Sequence, residues 1–314
     1  MKKVLILGSG SIAKKHQTIM TQFGYEIFLY SEKNRYKKFL NKKFIKYITN
    51  KKELLKIAKI ERFSFAIIAN ETFKHLKTIN FCVDNNINIF CEKPINSLKF
   101  DYLKLRKRLE KKKLFFMCNY QLQNLDCILR IKKILKKEKV VSFNMSVGHT
   151  IKKWRKDNIR TQSYYVNKKK GGGVIFELIH EINLLKFIFG NFIKINTYSE
   201  KINKKFNCED IAVSIIKTKK NILGTLYQDM VSPIFFRKLS VVCLKNYYEL
   251  DLINNIIISN KSKKIKFKKI SQLNLIKKNL SKFINLTKKK ITYKFFDESV
   301  EDFKITLKMH NEIF

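Results

Sequence analysis

The chain opens with a short apolar run that is followed by glycines at a regular spacing. Val4–Leu7 is long enough for a buried strand and too short for a helix. Gly8, Gly10 and Ala13 follow it as G-x-G-x-x-A. This spacing permits a tight turn, lets a pyrophosphate approach a residue without a Cβ, and lets the next helix pack closely. The opening therefore predicts a dinucleotide-binding turn, against the alternative of an ordinary strand-to-helix connection. A helix that begins near Ser11 and Ile12 would point its free N–H groups at the phosphates.

Strand and helix patterns alternate over the first third of the chain. After the opening strand, the expected strands are Glu26–Tyr30, Phe63–Ala69, Ile87–Cys91 and Leu114–Cys118, and the expected helices are Ser11–Phe23, Lys52–Lys59, His75–Asn85 and Phe100–Lys112. Strands that alternate with helices at this spacing predict a parallel sheet covered on both faces. We therefore expect residues 1–118 to form a doubly wound α/β domain.

The remainder, residues 119–314, has a different pattern and is expected to form a second domain. Apolar and polar residues alternate in several segments, which predicts an antiparallel sheet. These segments are Val140–Val147, Ile193–Ser199, Ile211–Lys217, Gly224–Met230, Leu239–Leu244, Tyr247–Leu252 and Ile256–Ser259, and the expected helices are Ile128–Lys137, Val174–Phe189 and Glu298–Phe314. Lysine-rich stretches near 262–269 and 276–290 are compatible with disorder, although interleaved apolar residues favour ordered, solvated faces.

The net charge of the chain is extreme. Lys and Arg number 67 against 25 Asp and Glu, a formal net charge of +42. A nucleic-acid or membrane-surface partner would account for such a charge. The lysines, however, fall on nearly every amphipathic segment, together with Asn, Ile and Phe, which favours compositional drift toward A/T-rich codons. We therefore expect no specific nucleic-acid partner and no membrane partner, while anionic ligands would still be attracted at low salt.

The six cysteines lie inside apolar segments and form no C-x-x-C pair. No histidine cluster accompanies them, so they indicate small core residues of a reducing cytoplasm and no metal site. The N-terminal apolar run is too short for a signal peptide, and no apolar run approaches the length of a membrane span. We therefore expect a cytoplasmic protein.

The end of the second strand is where the choice of cofactor would be made. An acidic residue there binds the ribose 2′-OH of NAD, whereas basic residues suit the 2′-phosphate of NADP. Glu32 favours the first cofactor, and Ser31, Lys33 and Arg35 favour the second. The balance leans slightly to NADP and leaves NAD open.

Polar residues also follow two later strands, at the edge where ligands bind in open α/β sheets. Glu92, Lys93 and Pro94 follow one strand, and a lysine held there can bond a substrate hydroxyl and tune proton transfer. A solvated lysine is the alternative in a chain so rich in lysine. Residues 70–75 follow the preceding strand and include three polar candidates for cofactor contact. They are Asn70, Thr72 and His75, of which His75 equally suits a structural role at a helix start.

A glycine-flanked segment, residues 171–190, combines a histidine with two carboxylates. On one continuous helix Glu177, His180 and Glu181 lie at i, i+3 and i+4 and would share one face. Leu178 and Ile182 would belong to the opposite, core-facing stripe. A histidine flanked by carboxylates can act as a base near neutral pH, and the alternative is a surface helix with a solvated acidic face.

Three motifs together resemble the Gfo/Idh/MocA family of NAD(P)-dependent oxidoreductases. They are G-S-G-S-I-A at 8–13, E-K-P at 92–94 and G-G-G-V-I-F-E-L-I-H-E-I-N at 171–183. Cys208-Glu209-Asp210 and Arg237, each ahead of a predicted strand, also fit. The resemblance implies an N-terminal Rossmann domain and a C-terminal α/β domain with a large, mostly antiparallel open sheet. It further implies a homo-oligomer, a dimer or tetramer, because that sheet often forms the dimer interface in the family.

The resemblance implies roles for the residues in these motifs. Lys93 would contact the reacting hydroxyl and the nicotinamide ribose, and Glu92 would lie at the cofactor. His180, assisted by Glu177 or Glu181, would accept a proton. Members of the family usually carry an Asp and, four residues later, a His on this helix. Here Glu177 stands at the Asp position, His180 comes one residue early, and Glu181 occupies the usual His position.

Two further stretches are similar to substrate-contacting segments of the family. Asn119 and Gln121 lie in a stretch like an Asn-x-Arg-Phe motif, in which Gln121 replaces the Arg. Residues 148–165 resemble a segment of members encoded with surface-polysaccharide pathways. By that analogy the substrate pocket would be lined by Trp154, Arg155, Arg160 and Tyr164.

These features favour an oxidoreductase that moves a hydride between a nicotinamide cofactor and a hydroxyl-bearing carbon of a sugar or sugar derivative. An acidic or nucleotide-linked sugar would suit the basic surface of the chain. A non-catalytic dinucleotide-binding sensor is the alternative that the departures at Glu177, His180 and Gln121 keep open. A basic nucleic-acid-binding protein is a third, disfavoured by the spread charge and the lack of a recognition motif.

Overall fold

A computed structural model describes residues 1–32, 44–150, 163–261, 264–289 and 291–311. The chain divides into two compact units, one of residues 1–119 and 276–301 and the other of residues 120–275 and 302–314. The sequence analysis placed all of 119–314 in a second domain, whereas the contacts of 276–301 and of Asn119 are with the first unit. Arg35, Trp154, Arg155 and Arg160 lie outside the described residues.

The first unit is built on a six-stranded sheet in which all paired strands run parallel. Its strands are β1 (Lys3–Leu7), β2 (Glu26–Tyr30), β3 (Ile45–Ile48), β4 (Phe65–Ile68), β5 (Ile89–Cys91) and β6 (Phe116–Cys118). Their order across the sheet is β3-β2-β1-β4-β5-β6, which confirms the predicted doubly wound sheet. The side chains of the central strands β1 and β4 are at most 2% exposed from Val4 to Leu7 and from Phe65 to Ile68, as expected of a parallel sheet covered on both faces.

Helices connect these strands, and two of them begin at a side-chain cap. They are α1 (Ser11–Gln22), α2 (Lys51–Ile60), α3 (His75–Asp84) and α4 (Tyr102–Lys111). The Asn50 side chain accepts from the Glu53 N–H at the start of α2, and Asp101 accepts from the Lys104 N–H at the start of α4, both at 2.8 Å. Such caps satisfy N–H groups that the helix itself leaves unpaired.

The second unit contains an eight-stranded sheet, which was predicted as large and mostly antiparallel. Its strands are β7 (Val140–Gly148), β8 (Phe192–Glu200), β9 (Ile211–Thr218), β10 (Leu223–Asp229), β11 (Phe236–Cys243), β12 (Tyr247–Asp251), β13 (Ile256–Ser259) and β14 (Lys264–Lys266). The order is β14-β13-β12-β11-β7-β10-β9-β8, and β7 pairs with β10 in parallel while the other pairs are antiparallel. The prediction is therefore confirmed.

Helices cover one face of this sheet and leave part of the other exposed. The helices of the second unit include α5 (Asp126–Leu135), α6 (Val174–Glu177) and α7 (Ile179–Phe189). Phe143 of β7 stacks on Phe189 of α7 with 4.4 Å between ring centroids. Tyr198 and Val213 face each other in the register of β8 and β9 and are 69% and 40% exposed. None of the helices in the described ranges is long and apolar enough to cross a bilayer.

Three elements near lysine-rich sequence escaped prediction. Two are the short edge strands β3 and β14, of four and three residues. The third is the helix α8 (Gln272–Leu286), which precedes the final helix α9 (Lys294–Asn311). Leu280 and Phe283 of α8 are fully buried, so the apolar residues interleaved with its lysines face a core.

Phe283 is the centre of an aromatic cluster in the first unit. Its ring centroid lies 5.1 Å from that of Phe65, 5.3 Å from that of Phe90 and 5.3 Å from that of Phe115. Phe65 belongs to β4, Phe90 belongs to β5, and Phe115 directly precedes β6. Aromatic pairs at such distances contribute packing beyond the area that they bury. Residues 276–301 thus supply part of the core of the first unit.

We expect Phe283→Ala to lower the free energy of unfolding by about 3 to 5 kcal/mol, because it leaves a cavity among three rings. Urea denaturation followed by circular dichroism measures this loss. Phe44, which is 42% exposed, is the matched control, and Phe44→Ala should cost less than about 1 kcal/mol. Equal losses in the two variants would show that α8 does not support this core.

Candidate functional site

The turn after β1 is shaped by a close backbone approach. Gly8 has a φ of +136°, and a Cβ built on it would lie 2.4 Å from the backbone C and O of Ala69, which follows β4. No side chain can therefore replace its hydrogen. Gly10 is different, because a Cβ built there meets nothing within 4 Å and its φ of −74° suits any residue. The space beside Gly10 is thus open, as the approach of a pyrophosphate requires.

The first turn of α1 faces this open space. Gly10 is the N-cap and offers no side chain to accept from the helix N–H groups. Ser11 is exposed, Ile12 is half-buried and Ala13 is fully buried against the unit's core. Uncapped N–H groups and the helix dipole favour an anion at such a helix start. The predicted glycine loop therefore has the form that holds a dinucleotide phosphate.

The end of β2 presents a carboxylate. Ser31 is half-buried, and its N–H donates to the carbonyl of Ile48 at 3.1 Å. The Tyr30 hydroxyl donates to Glu32 Oε1 at 3.0 Å. Burial, the bond to Glu32 and the charge of Glu32 together raise the pKa of Tyr30 to about 12. Glu32 thus lies at the predicted ribose position, whereas Lys33 and Arg35 lie outside the described ranges.

The loop after β4 carries the next three candidates. Asn70 donates from Nδ2 to Thr78 Oγ1 at 2.8 Å, and its Oδ1 is buried without a hydrogen-bond partner among the described residues. Thr72 is 6% exposed. The ring nitrogens of His75 face the carbonyl oxygens of Pro94 at 2.8 Å and Asn70 at 3.2 Å. Burial lowers the pKa of His75, although the two carbonyl contacts act in the opposite direction. The ring thus lies between the loops after β4 and β5.

The end of β5 carries a buried carboxylate with two donors. Glu92 Oε1 accepts from His16 Nε2 at 2.6 Å and from Asn119 Nδ2 at 2.8 Å. Burial alone would raise the pKa of Glu92, but the bonds from His16 and Asn119 and the charge of Lys93 outweigh it and hold the pKa below its usual value. Glu92 is therefore an ionised anchor next to Lys93, which is half-buried.

Two members of this cluster were not among the predicted site residues. His16 lies on α1 and is 0% exposed, and Asn279 on α8 donates from Nδ2 to Asn119 Oδ1 at 2.9 Å. The helical spacing of α1 places residue 16 on the inward-facing side of the helix. A histidine with a purely structural role could equally occupy that position. Asn279 had no signal, since it is an ordinary polar residue in a lysine-rich stretch.

In the second unit the predicted single helix Val174–Phe189 is wrong, because it breaks at Leu178. This residue has φ −105° and ψ 32°, and it separates α6 from α7. The Leu178 carbonyl accepts from Gln228 Nε2 of β10 at 2.8 Å. A side chain thus donates to a carbonyl that would accept from a backbone N–H in a continuous helix. Glu177 and His180 consequently do not share one continuous helical face.

Glu177 ends α6 and is 7% exposed, so the alternative of a solvated acidic face is also wrong. The carboxylate of Glu209 packs against the turn that leads into α6: a Cβ on Gly173, whose φ is +116°, would lie 2.2 Å from Glu209 Oε1. The same oxygen lies 3.1 Å from His310 Nδ1. Gly173 is thus required by the close approach of a buried acid.

The remaining predicted residues of the second unit occupy distinct places. His180 is half-buried, and its ring makes an edge-to-face contact with Tyr120 at 6.1 Å between centroids. Gln121 is 5% exposed and begins a 3₁₀ turn, Gln121–Asn124. Tyr164 is half-buried and contacts the ring of Tyr165 at 5.6 Å.

Glu181 is held in a buried ion pair. It is 0% exposed, and its Oε1 lies 2.8 Å from Arg237 Nε at the start of β11. The Arg237 guanidinium also lies 5.7 Å from the ring centroid of Phe235. A carboxylate this deeply buried needs such a counter-charge, because its desolvation is otherwise costly.

The structure therefore gathers the predicted cofactor residues of the first unit at one edge of its sheet. Their loops follow the carboxyl ends of β1, β2, β4 and β5 in neighbouring strands. This edge flanks β1 and β4, where the order of the strands reverses, and open α/β sheets bind their ligands there.

We expect Arg237→Met to lower the free energy of unfolding by about 3 to 5 kcal/mol, because it removes the guanidinium that balances the charge of the buried Glu181 carboxylate. Urea denaturation measures the loss, and adding Glu181→Leu should recover much of it. Lys294 and Glu298 form an exposed pair at 3.7 Å, for which Lys294→Met should cost less than about 0.5 kcal/mol. A loss in Arg237→Met no larger than that of this control would contradict the buried pair.

Family models match most of the chain. Residues 2–120 match the oxidoreductase family with an NAD-binding Rossmann fold. Residues 128–249 match the Gfo/Idh/MocA C-terminal domain. No curated protein matches the sequence.

Solved structures share the fold at low sequence identity. UDP-N-acetylglucosamine 3-dehydrogenase GnnA from Acidithiobacillus ferrooxidans is 12% identical with a TM-score of 0.79, over 99% of this chain and 97% of that one. Myo-inositol 2-dehydrogenase from Lactobacillus plantarum is 14% identical with a TM-score of 0.79, over 99% and 96%. The WlbA dehydrogenase from Bordetella pertussis, solved with NADH and UDP-GlcNAcA, is 13% identical with a TM-score of 0.78, over 99% and 95%.

The two family matches agree with the doubly wound sheet, the glycine loop and the second, mostly antiparallel sheet. This chain belongs to the Gfo/Idh/MocA family of oxidoreductases with an NAD-binding Rossmann fold.

Proposed function

We propose that this protein is an NAD(P)-dependent oxidoreductase that acts on a hydroxyl or keto carbon of a sugar or sugar derivative. The observation that carries the proposal is the open space beside Gly10 in front of the uncapped start of α1, at the sheet edge that also presents Lys93. The nicotinamide, when bound, supplies or accepts the hydride. The residues of the chain bind it, orient the substrate and handle the proton.

The first unit supplies the residues that would hold the dinucleotide. The N–H groups of Ser11, Ile12 and Ala13 suit the pyrophosphate. Glu32 suits the adenosine ribose, and the buried Oδ1 of Asn70 is an acceptor that still lacks a partner among the described residues. Thr72, His75 and Glu92 border the same edge and complete the proposed cofactor site.

Lys93 is the proposed group that orients and polarises the substrate hydroxyl. Lys93 directly follows Glu92 in the sequence, and the Glu92 carboxylate is held ionised by two buried donors. A lysine next to a fixed negative charge is a stable point charge and a strong donor. In the second unit His180 is the proposed proton acceptor, and the buried Glu177 is the proposed carboxylate that assists it.

The substrate class is proposed from the family and from chemistry. GnnA, the inositol dehydrogenase and the WlbA complex are named for sugar-type ligands, two of them linked to UDP. A net charge of +42 would attract such anionic sugars at low salt. We propose Asn119, Gln121, Tyr164, Trp154 and Arg155 as substrate contacts, with Glu181 acting through its ion pair to Arg237. A cytoplasmic location in a surface-polysaccharide pathway would supply such substrates.

The choice of dinucleotide is also proposed. Glu32 favours NADH, because a carboxylate can accept from the ribose hydroxyls. Ser31, Lys33 and Arg35 favour NADPH, because they suit a 2′-phosphate. The basic residues outnumber the acidic one, so we expect a slight preference for NADPH.

We expect Lys93→Met and His180→Asn each to lower kcat by at least about 100-fold, because each removes a group that moves or orients the proton. The assay follows nicotinamide absorbance in both directions with NAD(P)⁺ or NAD(P)H and a panel of sugars, beginning with UDP-N-acetylglucosamine, its uronic acid and myo-inositol. Lys99→Met is the matched control, since Lys99 is an exposed lysine six residues further on.

Unchanged turnover in Lys93→Met would overturn the assignment of this residue. Saturable cofactor binding without turnover on any sugar would indicate that the protein is a non-catalytic dinucleotide-binding sensor and not an enzyme. The control variant should keep its activity within about twofold of the unaltered protein, since exposed substitutions away from the site rarely matter.

We also propose that the protein forms a homo-oligomer through the exposed face of its larger sheet, with a second copy of the chain as the occupant. Tyr198, Val213 and Ile215 are 69%, 40% and 49% exposed on adjacent strands. In the register of β9 and β10, Thr225 and Tyr227 continue this face. An exposed sheet face that carries apolar side chains of this kind is typical of an interface between copies.

We expect Ile215→Asp to convert the assembly into a monomer, because a charge is costly at the centre of an apolar interface. Size-exclusion chromatography with light scattering measures the mass at several protein concentrations. Ile60→Asp is the control, since Ile60 is an isolated apolar residue that is 67% exposed on α2. A monomeric unaltered protein, or an unchanged mass in Ile215→Asp, would overturn the proposed interface.

A further inference from the structure

The carboxylate of Glu92 is the end point of a chain of buried hydrogen bonds. Asn279 donates to Asn119 at 2.9 Å, and Asn119 donates to Glu92 Oε1 at 2.8 Å. His16 Nε2 reaches the same oxygen at 2.6 Å from the other side. These four residues come from α8, the end of β6, the end of β5 and α1, and each is at most 8% exposed. The carboxylate is therefore held directly by His16 of α1 and by Asn119 after β6, and Asn119 is in turn held by Asn279 of α8.

Within the described part of the chain, the side chain of His16 makes one hydrogen bond, the one to Glu92. The residue is 0% exposed, and its Nδ1 is buried without a hydrogen-bond partner among the described residues. Its other close ring neighbour is Phe90, at 5.8 Å in an edge-to-face arrangement. An unsatisfied buried nitrogen costs about 1 to 3 kcal/mol. A leucine of similar volume would avoid that cost, but it would also remove one of the two donors from the buried Glu92 carboxylate. The presence of this histidine is therefore explained by its bond to Glu92.

The position of His16 suggests what the contact does. His16 lies five residues after Ser11 on the same rigid helix, about one and a half turns from the uncapped helix start. Glu92 is directly followed by Lys93. The bond between His16 and Glu92 thus ties the helix that would carry the pyrophosphate to the segment that carries the proposed catalytic lysine. Movement of one is then transmitted to the other through a single short contact.

We propose that His16 is a positioning residue, which couples dinucleotide binding at the start of α1 to the placement of Lys93 through the carboxylate of Glu92. Asn119, held in turn by Asn279, is the second positioning residue, because it supplies the other donor to the same oxygen. The inference rests on the proposed function and deepens it. It assigns His16 no contact with substrate or cofactor, and for Asn119 it adds a positioning role to the proposed contact with substrate.

The test is a double-mutant cycle on cofactor binding, which needs no knowledge of the substrate. The dissociation constants of NADH and NADPH are measured by nicotinamide fluorescence for the unaltered chain, His16→Leu, Lys93→Met and the double variant. His16→Gln is the rescue variant, since its terminal amide can donate from near the position of Nε2. Thermal unfolding of every variant separates folding from binding.

Gln17 supplies a matched control on the same helix. It is 1% exposed, and neither of its side-chain amide atoms has a hydrogen-bond partner among the described residues. Gln17→Leu therefore removes a buried polar side chain next to His16 without touching Glu92. It should leave cofactor affinity within about twofold and should not lower the unfolding temperature.

We expect His16→Leu to weaken the preferred cofactor about tenfold when Lys93 is present and less than about twofold when Lys93 is already Met. His16→Gln should recover affinity to within about threefold of the unaltered chain, because it restores the donor. If His16→Leu does not fold, Asn119→Ala enters the same cycle, with the same dependence on Lys93 expected.

Equal losses of affinity in the two Lys93 backgrounds would overturn the proposal, as would a loss in Gln17→Leu as large as that in His16→Leu. A fall in the unfolding temperature of His16→Leu with no change in its cofactor affinity would show that His16 has a structural role only. That result would also overturn the proposal. Absence of saturable binding by the unaltered chain is a different result, since it overturns the proposed function and this inference with it.

Discussion

The close approach of Gly8 to the backbone of Ala69 is the constraint on which the site depends. It brings the turn after β1 against the loop after β4, at the place where the order of strands reverses. The two loops can be this close only because Gly8 has no Cβ and adopts a φ of +136°. Because these strands are parallel and fully buried, their carboxyl ends and the loops that follow them lie at one edge. The cofactor candidates follow from this single piece of backbone geometry.

Four buried acidic residues of this basic chain each have a partner within their own unit. Glu92 is held by His16 and Asn119, Glu181 by Arg237, and Glu209 by His310, and all three acids are at most 8% exposed. Asp302 is paired likewise with Lys186 at 2.8 Å. Each buried carboxylate thus has a donor or counter-charge in its own unit, as burial of a charge requires. The surplus of lysine then belongs to solvated faces, where its charge costs little.

The sequence predicted more of the fold than of the site. Strands such as β2 and β13 lie within the predicted bounds, because period-two and apolar-run patterns are local properties. Helix α8 was not predicted, because its buried Phe283 is surrounded in the sequence by lysines and its neighbours are distant in the chain. The break at Leu178 was also missed. The Leu178 carbonyl accepts there from the side chain of Gln228, fifty residues away on β10, and no local pattern shows such a contact.

The same distinction applies to the candidate site. Gly8 and Gly10 were identified because their spacing is itself a backbone requirement. His16 and Arg237 pair with acids far away in the sequence, and Asn279 donates to the equally distant Asn119, so only the folded chain reveals their contacts. Asn119 was predicted as a substrate contact, and the structure shows its amide engaged by Glu92 and Asn279. Its proposed contact with substrate would have to come in addition to these bonds.

The most direct measurement is a titration of the unaltered chain and of Gly10→Val with NADH and NADPH, at low salt and at about 0.5 M NaCl, where charge attraction is strongly screened. Gly10 has room for a side chain and a φ that valine tolerates, so this variant should fold and should fill the space that a pyrophosphate needs. The account predicts saturable binding by the unaltered chain that survives high salt, with a slight preference for NADPH, and a loss of at least about 100-fold in Gly10→Val. Binding that vanishes with salt, or that is equally tight in the folded Gly10→Val variant, would contradict it.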